Sequence, residues 1–224
     1  MSSPLDNPIW HSLTSRHAHL ALGNEAARRY PPEIAPFAAI PTSSEESEAA
    51  LANLVEHGAK AIVLNVMPKT WQGWTITHRF EAVQYVWENT AAEPDPEAIP
   101  LGPEHLDRML DLTALVYPAY FRKGTAELGD YFGIVEDGQL CAMAGIRMAF
   151  RGHQEISAIC THPDHQGKGC ASRLTRHLIH HIQTQGDTPF LHTESDNHTA
   201  RRLYDRLGFA LRATLPIFVA ERTA

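Results

Sequence analysis

Two closely spaced glycines lie where a strand-like segment changes to a helix-like one, in the stretch QGKGCAS at residues 166–172. A helix N-terminus offers unpaired backbone N–H groups and a partial positive charge. Glycines at 167 and 169 keep side chains away from those donors, and Lys168 and Arg173 add positive charge nearby. The stretch therefore predicts a cradle for an anion, most often a phosphate group.

Two well-known phosphate-binding motifs fit this stretch poorly. A P-loop requires G-x-x-x-x-G-K-[ST], and that string does not occur in the chain. A dinucleotide fold requires G-x-G-x-x-G/A directly after a strand. Gly167, Gly169 and Ser172 approach that pattern, and Glu194 could take the place of the ribose-binding acid. However, a turn separates the glycines from the preceding strand, and the earlier strands look antiparallel, so the dinucleotide hypothesis is weak.

The elements around the glycines follow a regular order. The pattern predicts a helix over residues 103–117 and three antiparallel strands over 131–161. Tight turns at Asp137-Gly138 and Arg151-Gly152 join those strands. A helix to about Gln185, a strand over 188–194, a helix over 195–209 and final strands over 216–222 follow. This alternation predicts an α/β fold with a mixed sheet.

The first half of the chain also shows α/β patterning, but no catalytic motif. We expect helices over residues 43–58 and 79–89, and strands over 36–40 and 59–66. The stretch AAEPDPEAI at residues 91–99 is rich in Pro, Glu and Ala and has no apolar period, as is typical of a linker. The sequence therefore predicts an N-terminal domain over 1–90, a linker over 91–99 and a second domain over 100–224.

Composition narrows the class of protein. The chain has 224 residues, of which 43% are hydrophobic and 20% charged, as in ordinary globular proteins with a buried core. The net charge of −7 argues against a nucleic-acid partner, which would favour a basic surface. Three cysteines, an odd number, indicate a reducing compartment. No apolar run approaches the roughly 20 residues of a membrane span, and the chain starts without a signal-like segment. We expect a cytoplasmic protein with no membrane partner.

Fourteen histidines raise the question of a bound metal. His177, His180 and His181 have helical spacing, and His162 and His165 flank a predicted turn. Zinc sites usually combine histidines with cysteines or carboxylates at characteristic offsets. Because no such offset occurs beside these histidines, we expect no metal site.

The glycine stretch and a second motif together resemble the GNAT (GCN-type N-acetyltransferase) superfamily. QGKGCA at residues 166–171 matches the family pattern Q/R-x-x-G-x-G/A. Asn197, Ala200 and Tyr204, followed by LGF, resemble the closing motif of the family. The resemblance covers residues 100–222, and the two-domain arrangement looks like the glycine acyltransferase-like branch. It implies a GNAT fold in the C-terminal half and a smaller, degenerate GNAT-like copy in the N-terminal half.

The resemblance implies acetyl-CoA as the donor substrate. The loop backbone would hold the pyrophosphate of coenzyme A, the strand before it would pair with the pantetheine arm, and a gap beside the strand over 188–194 would admit that arm. The residues implied in this binding are Ile159, Cys160, Thr161, Gln166, Gly167, Lys168, Gly169, Cys170, Ala171, Ser172, Asn197 and Tyr204.

Two side chains could move protons in the reaction that the resemblance implies. Tyr204 resembles the usual general acid of the family, which protonates the departing thiolate, although its place on an apolar helix face also suits a packed core residue. Glu155 matches a glutamate that some members use as the base. Alternation predicts Glu155, Ser157, Ile159 and Thr161 on one strand face. Glu194 and Asp196 compete with Glu155 for the role of base. We interpret Cys160 and Cys170 as packed residues, which favours direct transfer in a ternary complex over a covalent cysteine intermediate.

The resemblance therefore implies transfer of an acetyl group to a primary amine on a small molecule or amino acid. The alternative is a non-catalytic CoA-binding or regulatory module. The acceptor is not specified, and we expect a homodimer only as the commonest assembly of such enzymes.

Overall fold

The computed structural model describes residues 3–90, 92–116, 118 and 121–223. Within these ranges the chain forms five α-helices: α1 (Pro8–Leu13), α2 (Glu45–Leu54), α3 (Leu106–Val116), α4 (Cys170–Thr184) and α5 (His198–Leu207). The strands of the same ranges are β1 (Leu22–Gly23), β2 (Arg28–Arg29), β3 (Ala38–Ala39), β4 (Lys60–Leu64), β5 (Trp74–Val86), β6 (Ile99–Pro100), β7 (Tyr131–Glu136), β8 (Gln139–Phe150), β9 (His153–Thr161), β10 (Thr188–Glu194) and β11 (Ala210–Arg222). Short 3-10 turns lie at Pro4–Asp6, Ala18–Leu20, Pro103–His105, Lys123–Leu128 and Pro163–His165.

A mixed sheet of eight strands forms the centre of the part of the chain that the structure describes. Its strand order is β4-β11-β5-β10-β9-β8-β7-β6. The pairs are antiparallel except for β9 and β10, which run parallel. The α/β class with a mixed sheet, predicted from the sequence, is confirmed.

The strand β5 crosses the middle of this sheet, although it comes from the first half of the chain. It pairs antiparallel with β10 on one side and with β11 on the other. The helix predicted over residues 79–89 is therefore wrong. The division into domains at residues 91–99 stays a prediction, and the two segments that it separates share one sheet. Ala91, at the start of that linker, and Tyr117, the predicted end of a helix, lie outside the described residues.

Apolar clusters cover both faces of the sheet, and the two with the most residues meet at β5. On one face, α4 and α5 pack against strand residues that include Tyr85, Ile156 and Leu191. On the other face, the N-terminal segment packs through Leu5, Ile9, Leu13 and Tyr30 against neighbouring strand positions, which include Ala82, Val86 and Phe190. Because consecutive residues of a strand point to opposite faces, β5 contributes alternately to the two cores.

The predicted turns and helices of the C-terminal half are largely confirmed. Asp137 and Gly138 both have positive φ angles, 49° and 79°, as a two-residue hairpin turn of type I′ requires. Helix α5 begins after Asn197, whose Oδ1 accepts a hydrogen bond from the Ala200 amide, and ends at Gly208 with φ 101°. The final segment forms one long strand, β11, where the pattern predicted separate strands.

None of the described helices combines the length and apolar character needed to cross a bilayer.

Candidate active site

A split in the sheet lies between β9 and β10. These strands pair over only three positions among the described residues, Thr188 with His153, Pro189 with Gln154 and Phe190 with Glu155. Beyond Glu155 the two strands continue without pairing to each other, so their C-terminal halves diverge. The gap that the sequence analysis expected beside the strand over 188–194 is present.

A cavity of about 370 Å³ occupies this split. Its walls come from both strands and from elements on both faces of the sheet. From β9 and β10 it takes Ile159, Cys160 and Glu194, and from α5 it takes Tyr204. From the other face of the sheet it takes residues of the N-terminal segment, α3 and β8, namely Ala35, Pro36, Phe37, Thr113, Val116 and Arg147. The cavity therefore connects the two faces.

A bulge shapes β9 where it lines the cavity. The pairing with β8 shifts between Met143–Cys160 and Gly145–Ser157, and Ala158 adopts a left-handed φ of 52°. A bulge leaves one residue outside the regular ladder, and strained non-glycine positions of this kind concentrate at functional sites. The bulge also makes the predicted alternation wrong. Ile159 packs on the same core as Ile156, so it lies on the opposite face from Glu155.

The glycine loop lies at the start of α4, as predicted. Gly167 and Gly169 have φ angles of 77° and 82°, a conformation that disfavours any residue with a side chain. A Cβ atom built on either glycine would meet nothing within 4 Å, so the space beside the loop is open. Gly169 is the N-cap of a 15-residue helix and provides no side-chain cap, which leaves the first amides of α4 available to a ligand.

The two cations near the loop are paired with carboxylates. Lys168 Nζ lies 3.4 Å from a Glu136 oxygen. Arg173 donates hydrogen bonds to Asp95 over 2.6 and 2.9 Å and to Glu97. The Arg173 guanidinium keeps the pKa of Asp95 below its usual value. The local positive charge predicted from the sequence is therefore partly neutralised by these partners.

Tyr204 lies on the cavity wall and is 6% exposed. Its ring packs edge-on against Tyr85 and Phe209, at centroid distances of 5.8 and 6.0 Å. Asn197 shares the same wall at the start of α5. These two predicted residues are thus brought together with Ile159 and Cys160, whereas the loop at residues 166–172 lies at the start of α4, outside the cavity lining.

Glu155 lies beneath the cavity wall. Its side chain is fully buried and accepts two hydrogen bonds from Arg147, over 2.9 and 2.6 Å. His192 Nδ1 lies 2.7 Å from Glu155 Oε1, the oxygen that also accepts from Arg147 Nη2. Burial alone would raise the pKa of this carboxyl group, but Arg147 and His192 together lower it to about 2. The carboxylate is therefore a weak proton acceptor held between two partners.

A hydrogen-bond chain fixes the His192 ring. Arg212 donates to Gln84 Oε1 over 2.7 Å, so Gln84 Nε2 is the amide nitrogen, and it donates to Leu5 O over 2.9 Å. The same nitrogen lies 2.9 Å from His192 Nε2, which must therefore accept. This tautomer leaves the proton on Nδ1, which donates to Glu155. Both ring nitrogens of His192 are thus engaged.

Some residues of the site carry no clear sequence signal. Arg147, His192 and residues 35–37 line the cavity, but no motif marks them. They approach from three elements that are distant along the chain, so no local spacing could identify them. A weak signal existed for His192, because it lies two positions before Glu194 in a predicted strand and so shares its face.

Cys160 and Cys170 are buried, as their interpretation as packed residues requires. Burial raises the pKa of the Cys160 thiol to about 12, which disfavours the thiolate.

Comparisons with known proteins agree with this architecture. The model of the family described as FR47-like protein matches residues 131–217. A solved structure of a GNAT-family protein from Novosphingobium aromaticivorans is 30% identical, with a TM-score of 0.90 and full coverage of both chains. A GCN5-related N-acetyltransferase from Kribbella flavida shares the fold at 16% identity, with a TM-score of 0.60 and 94% of each chain covered.

A curated relative matches over a shorter segment. Mycothiol acetyltransferase from Mycobacteroides abscessus is 41% identical over 64 residues, which is 28% of this chain and 22% of that protein. The chain thus spans about a fifth of that relative.

The full-length likeness to the Novosphingobium structure and the divided sheet define the class of protein. The chain belongs to the GNAT family of acetyltransferases.

Proposed function

We propose that the protein is an N-acetyltransferase that transfers an acetyl group from acetyl-CoA directly to a primary amine. The observation that carries the proposal is the cavity in the sheet split, which reaches both faces of the sheet. A donor and an acceptor entering from opposite faces could meet inside it. The name of the curated relative supports acetyl as the transferred group.

The donor side would be the face covered by α4 and α5. The glycine loop, Gln166 to Ser172, and the first amides of α4 would bind the pyrophosphate of coenzyme A. The edge of β9 at residues 159–161, which β10 leaves unpaired, could hydrogen-bond the pantetheine arm as an added strand would. The open space beside Gly167 and Gly169 fits this placement, because a ligand can approach the backbone there.

The acceptor side would be the face covered by the N-terminal segment. Phe37, Val116 and Leu128 give this part of the cavity an apolar wall, and Arg147 adds a cation beside the Phe37 ring at 5.1 Å. We infer a small acceptor, such as an amino acid or another compact amine, with an apolar portion that contacts this wall. The N-terminal segment then selects the acceptor.

The polar residues of the site would have separate roles in proton transfer. Tyr204, on the cavity wall, would donate a proton to the thiolate of coenzyme A as it leaves. Glu194 is exposed and lines the cavity, so it could remove the amine proton directly or through water. Glu155 is buried and bound to Arg147 and His192. We therefore assign it a positioning role, in which it holds these two side chains in the acceptor-side wall of the cavity.

The bulge in β9 would stabilise the negative charge that develops during the transfer. As the amine attacks, negative charge develops on the acetyl oxygen, and a preorganised backbone N–H stabilises it best. The positive φ of Ala158 turns the local backbone out of the regular ladder beside the cavity. We assign the oxyanion contact to an amide of this bulge.

The direct test is release of the coenzyme A thiol from acetyl-CoA in the presence of a panel of primary amines and amino acids. We expect release that depends on the amine, with higher kcat/KM for compact amines that carry an apolar group. Binding of acetyl-CoA without release for any amine would favour the alternative, a non-catalytic CoA-binding module.

A further inference from the structure

Three metal-binding side chains converge beside the glycine loop. Glu136 ends β7, Cys141 lies on β8 just after the hairpin turn, and His165 immediately precedes the loop. One ligand atom from each lies within 4.8 Å of the other two. The hairpin brings Glu136 and Cys141 together, and the return of the chain after β9 adds His165.

The Cys141 and His165 ligand atoms are spaced for a tetrahedral metal, whereas Glu136 Oε2 lies 3.1 Å from His165 Nδ1, the other ring nitrogen, and the Glu136 side chain must rotate to join them. Cys141 Sγ lies 3.5 Å from His165 Nε2. Bonds of 2.3 Å to sulfur and 2.05 Å to nitrogen at a tetrahedral angle would separate the two ligand atoms by about 3.6 Å. The pair is therefore spaced for a shared zinc-sized ion without movement of the backbone.

The chemistry of the three groups matches one class of metal. A thiolate, an imidazole and a carboxylate together favour Zn²⁺ and its close analogues over Mg²⁺ or Ca²⁺, which prefer oxygen ligands alone. His165 is partly exposed and Glu136 more so, with 15% and 41% of their side chains accessible. An ion can thus reach the group from solvent, although Cys141 itself is fully buried.

We propose that Glu136, Cys141 and His165 bind one zinc-class divalent cation, with water as the fourth ligand. Binding replaces the proton of the Cys141 thiol, which passes to solvent, so no oxidant or reductant is involved. Burial raises the pKa of this thiol, so the metal must supply the free energy for its ionisation.

Lys168 links the site to the glycine loop. Its ammonium group lies 3.4 Å from Glu136 Oε2 and 3.2 Å from His165 Nδ1. A bound divalent cation would repel this ammonium group from Glu136, so that its charge becomes available to an anion bound at the loop. Metal occupancy should therefore alter the affinity of the loop for anions, and anions should alter the affinity for the metal equally.

Cobalt titration of tag-free protein, without coenzyme A, tests the site. We expect a thiolate-to-cobalt charge-transfer band and visible ligand-field bands of tetrahedral type that saturate at one equivalent and disappear when zinc is added. Cys141→Ser should abolish the charge-transfer band. His165→Gln should weaken cobalt binding at least about tenfold. The control, Cys160→Ala, removes a buried thiol that is not a member of the group and should keep both bands.

The proposal is overturned if folded wild-type protein shows no such bands with micromolar cobalt, or if Cys141→Ser retains the charge-transfer band. Circular dichroism establishes that each variant is folded. Should Cys141→Ser fail to fold, His165→Gln and Glu136→Gln decide the question, because both residues are partly exposed. Unchanged cobalt affinity in both variants would show that the three side chains form only a hydrogen-bonded cluster.

Discussion

Two neighbouring tyrosines provide a test of the proposed proton donor, because only Tyr204 lines the cavity. The rings of Tyr204 and Tyr85 lie 5.8 Å apart, and both are buried. Tyr204 lines the cavity, whereas the Tyr85 hydroxyl is buried with no hydrogen-bond partner in the described part of the chain. Removal of the two hydroxyl groups should therefore have different effects on catalysis and similar effects on packing.

Tyr204→Phe should lower kcat about 10²-fold, because the leaving thiolate loses its proton donor. The dissociation constant for acetyl-CoA should change little, since the ring remains. Steady-state kinetics and calorimetric titration measure the two quantities.

Tyr85→Phe is the matched control and should leave kcat unchanged while stability stays equal or rises, because a buried hydroxyl without a partner is costly. An unchanged kcat in Tyr204→Phe would remove that residue from the role of acid.

The two candidate carboxylates can be separated by their pH profiles. Glu194→Gln should lower kcat/KM about 10²-fold and displace the acidic limb of its pH profile, if Glu194 is the base. Glu155→Gln should instead raise KM for the acceptor, because Arg147 and His192 lose the charge that holds them. If Glu155→Gln alone removed the acidic limb, Glu155 would be the base, as the sequence first suggested.

Sequence alone could identify residues whose role depends on local spacing. The loop glycines, Asn197 and Tyr204 belong to motifs within single elements; the glycines lie at the start of α4, and Asn197 and Tyr204 lie on the cavity wall. Arg147 and His192 could not be found in this way, because their roles arise from contacts across three strands. Cys141 and His165 are likewise 24 positions apart, so their proximity depends on the sheet.

At the scale of elements, the proposed role of the glycine loop in anion binding can be tested by comparing Gly169 with Gly152, a turn residue of similar backbone conformation. Gly169→Asp should weaken acetyl-CoA binding about tenfold or more, because a carboxylate at the start of α4 opposes an anionic ligand. Gly152→Asp imposes a similar backbone cost, since Gly152 has φ 80° and equally open surroundings.

Calorimetric titration compares the two variants. The Gly152 variant should bind acetyl-CoA as the wild type does. Equal affinity in both variants would contradict the loop as the pyrophosphate site.

Strand β5 shows why the spacing of apolar residues predicted a helix where the structure has a strand. The stretch FEAVQYVW at residues 80–87 contains apolar residues at spacings that suit a helix. In the structure residues 82–86 of this strand are buried on both faces, so apolar residues occur at consecutive positions instead of alternating with polar ones. Ala82 and Val86 contribute to one core, and Val83 and Tyr85 to the other. The β-branched and aromatic residues were the available sign of a strand.

At the scale of the whole molecule, β5 ties the two predicted domains together. A fragment of residues 100–224 should fail to fold alone, because β10 and β11 would each lose the strand between them. Co-expression with residues 1–99 should restore soluble protein. Cooperative unfolding and acetyl-CoA binding by the fragment alone would instead support independent domains separated at 91–99.

A buried histidine makes the stability of the fold dependent on pH. Burial lowers the pKa of His17 to about 4. In the unfolded chain the same imidazole has a pKa of about 6.5, so as the pH falls it is protonated in the unfolded chain before it is protonated in the folded one. The stabilising contribution is complete above pH 6.5 and is lost progressively toward pH 4. At pH 5 the loss in the free energy of unfolding should be about 2 kcal/mol.

Urea unfolding at pH 7.5 and 5.0 measures this loss. His17→Gln should reduce the difference between the two pH values by about that amount, whereas His57→Gln, at an exposed position, should not. An equal difference in the wild type and in His17→Gln would refute the assignment.

Calorimetric titration of the purified wild-type protein with acetyl-CoA, coenzyme A and NADH tests the central claim most directly. The account predicts micromolar binding of acetyl-CoA, comparable binding of coenzyme A and no heat with NADH. Folded protein that binds NADH, or that binds neither acetyl-CoA nor coenzyme A, would contradict it.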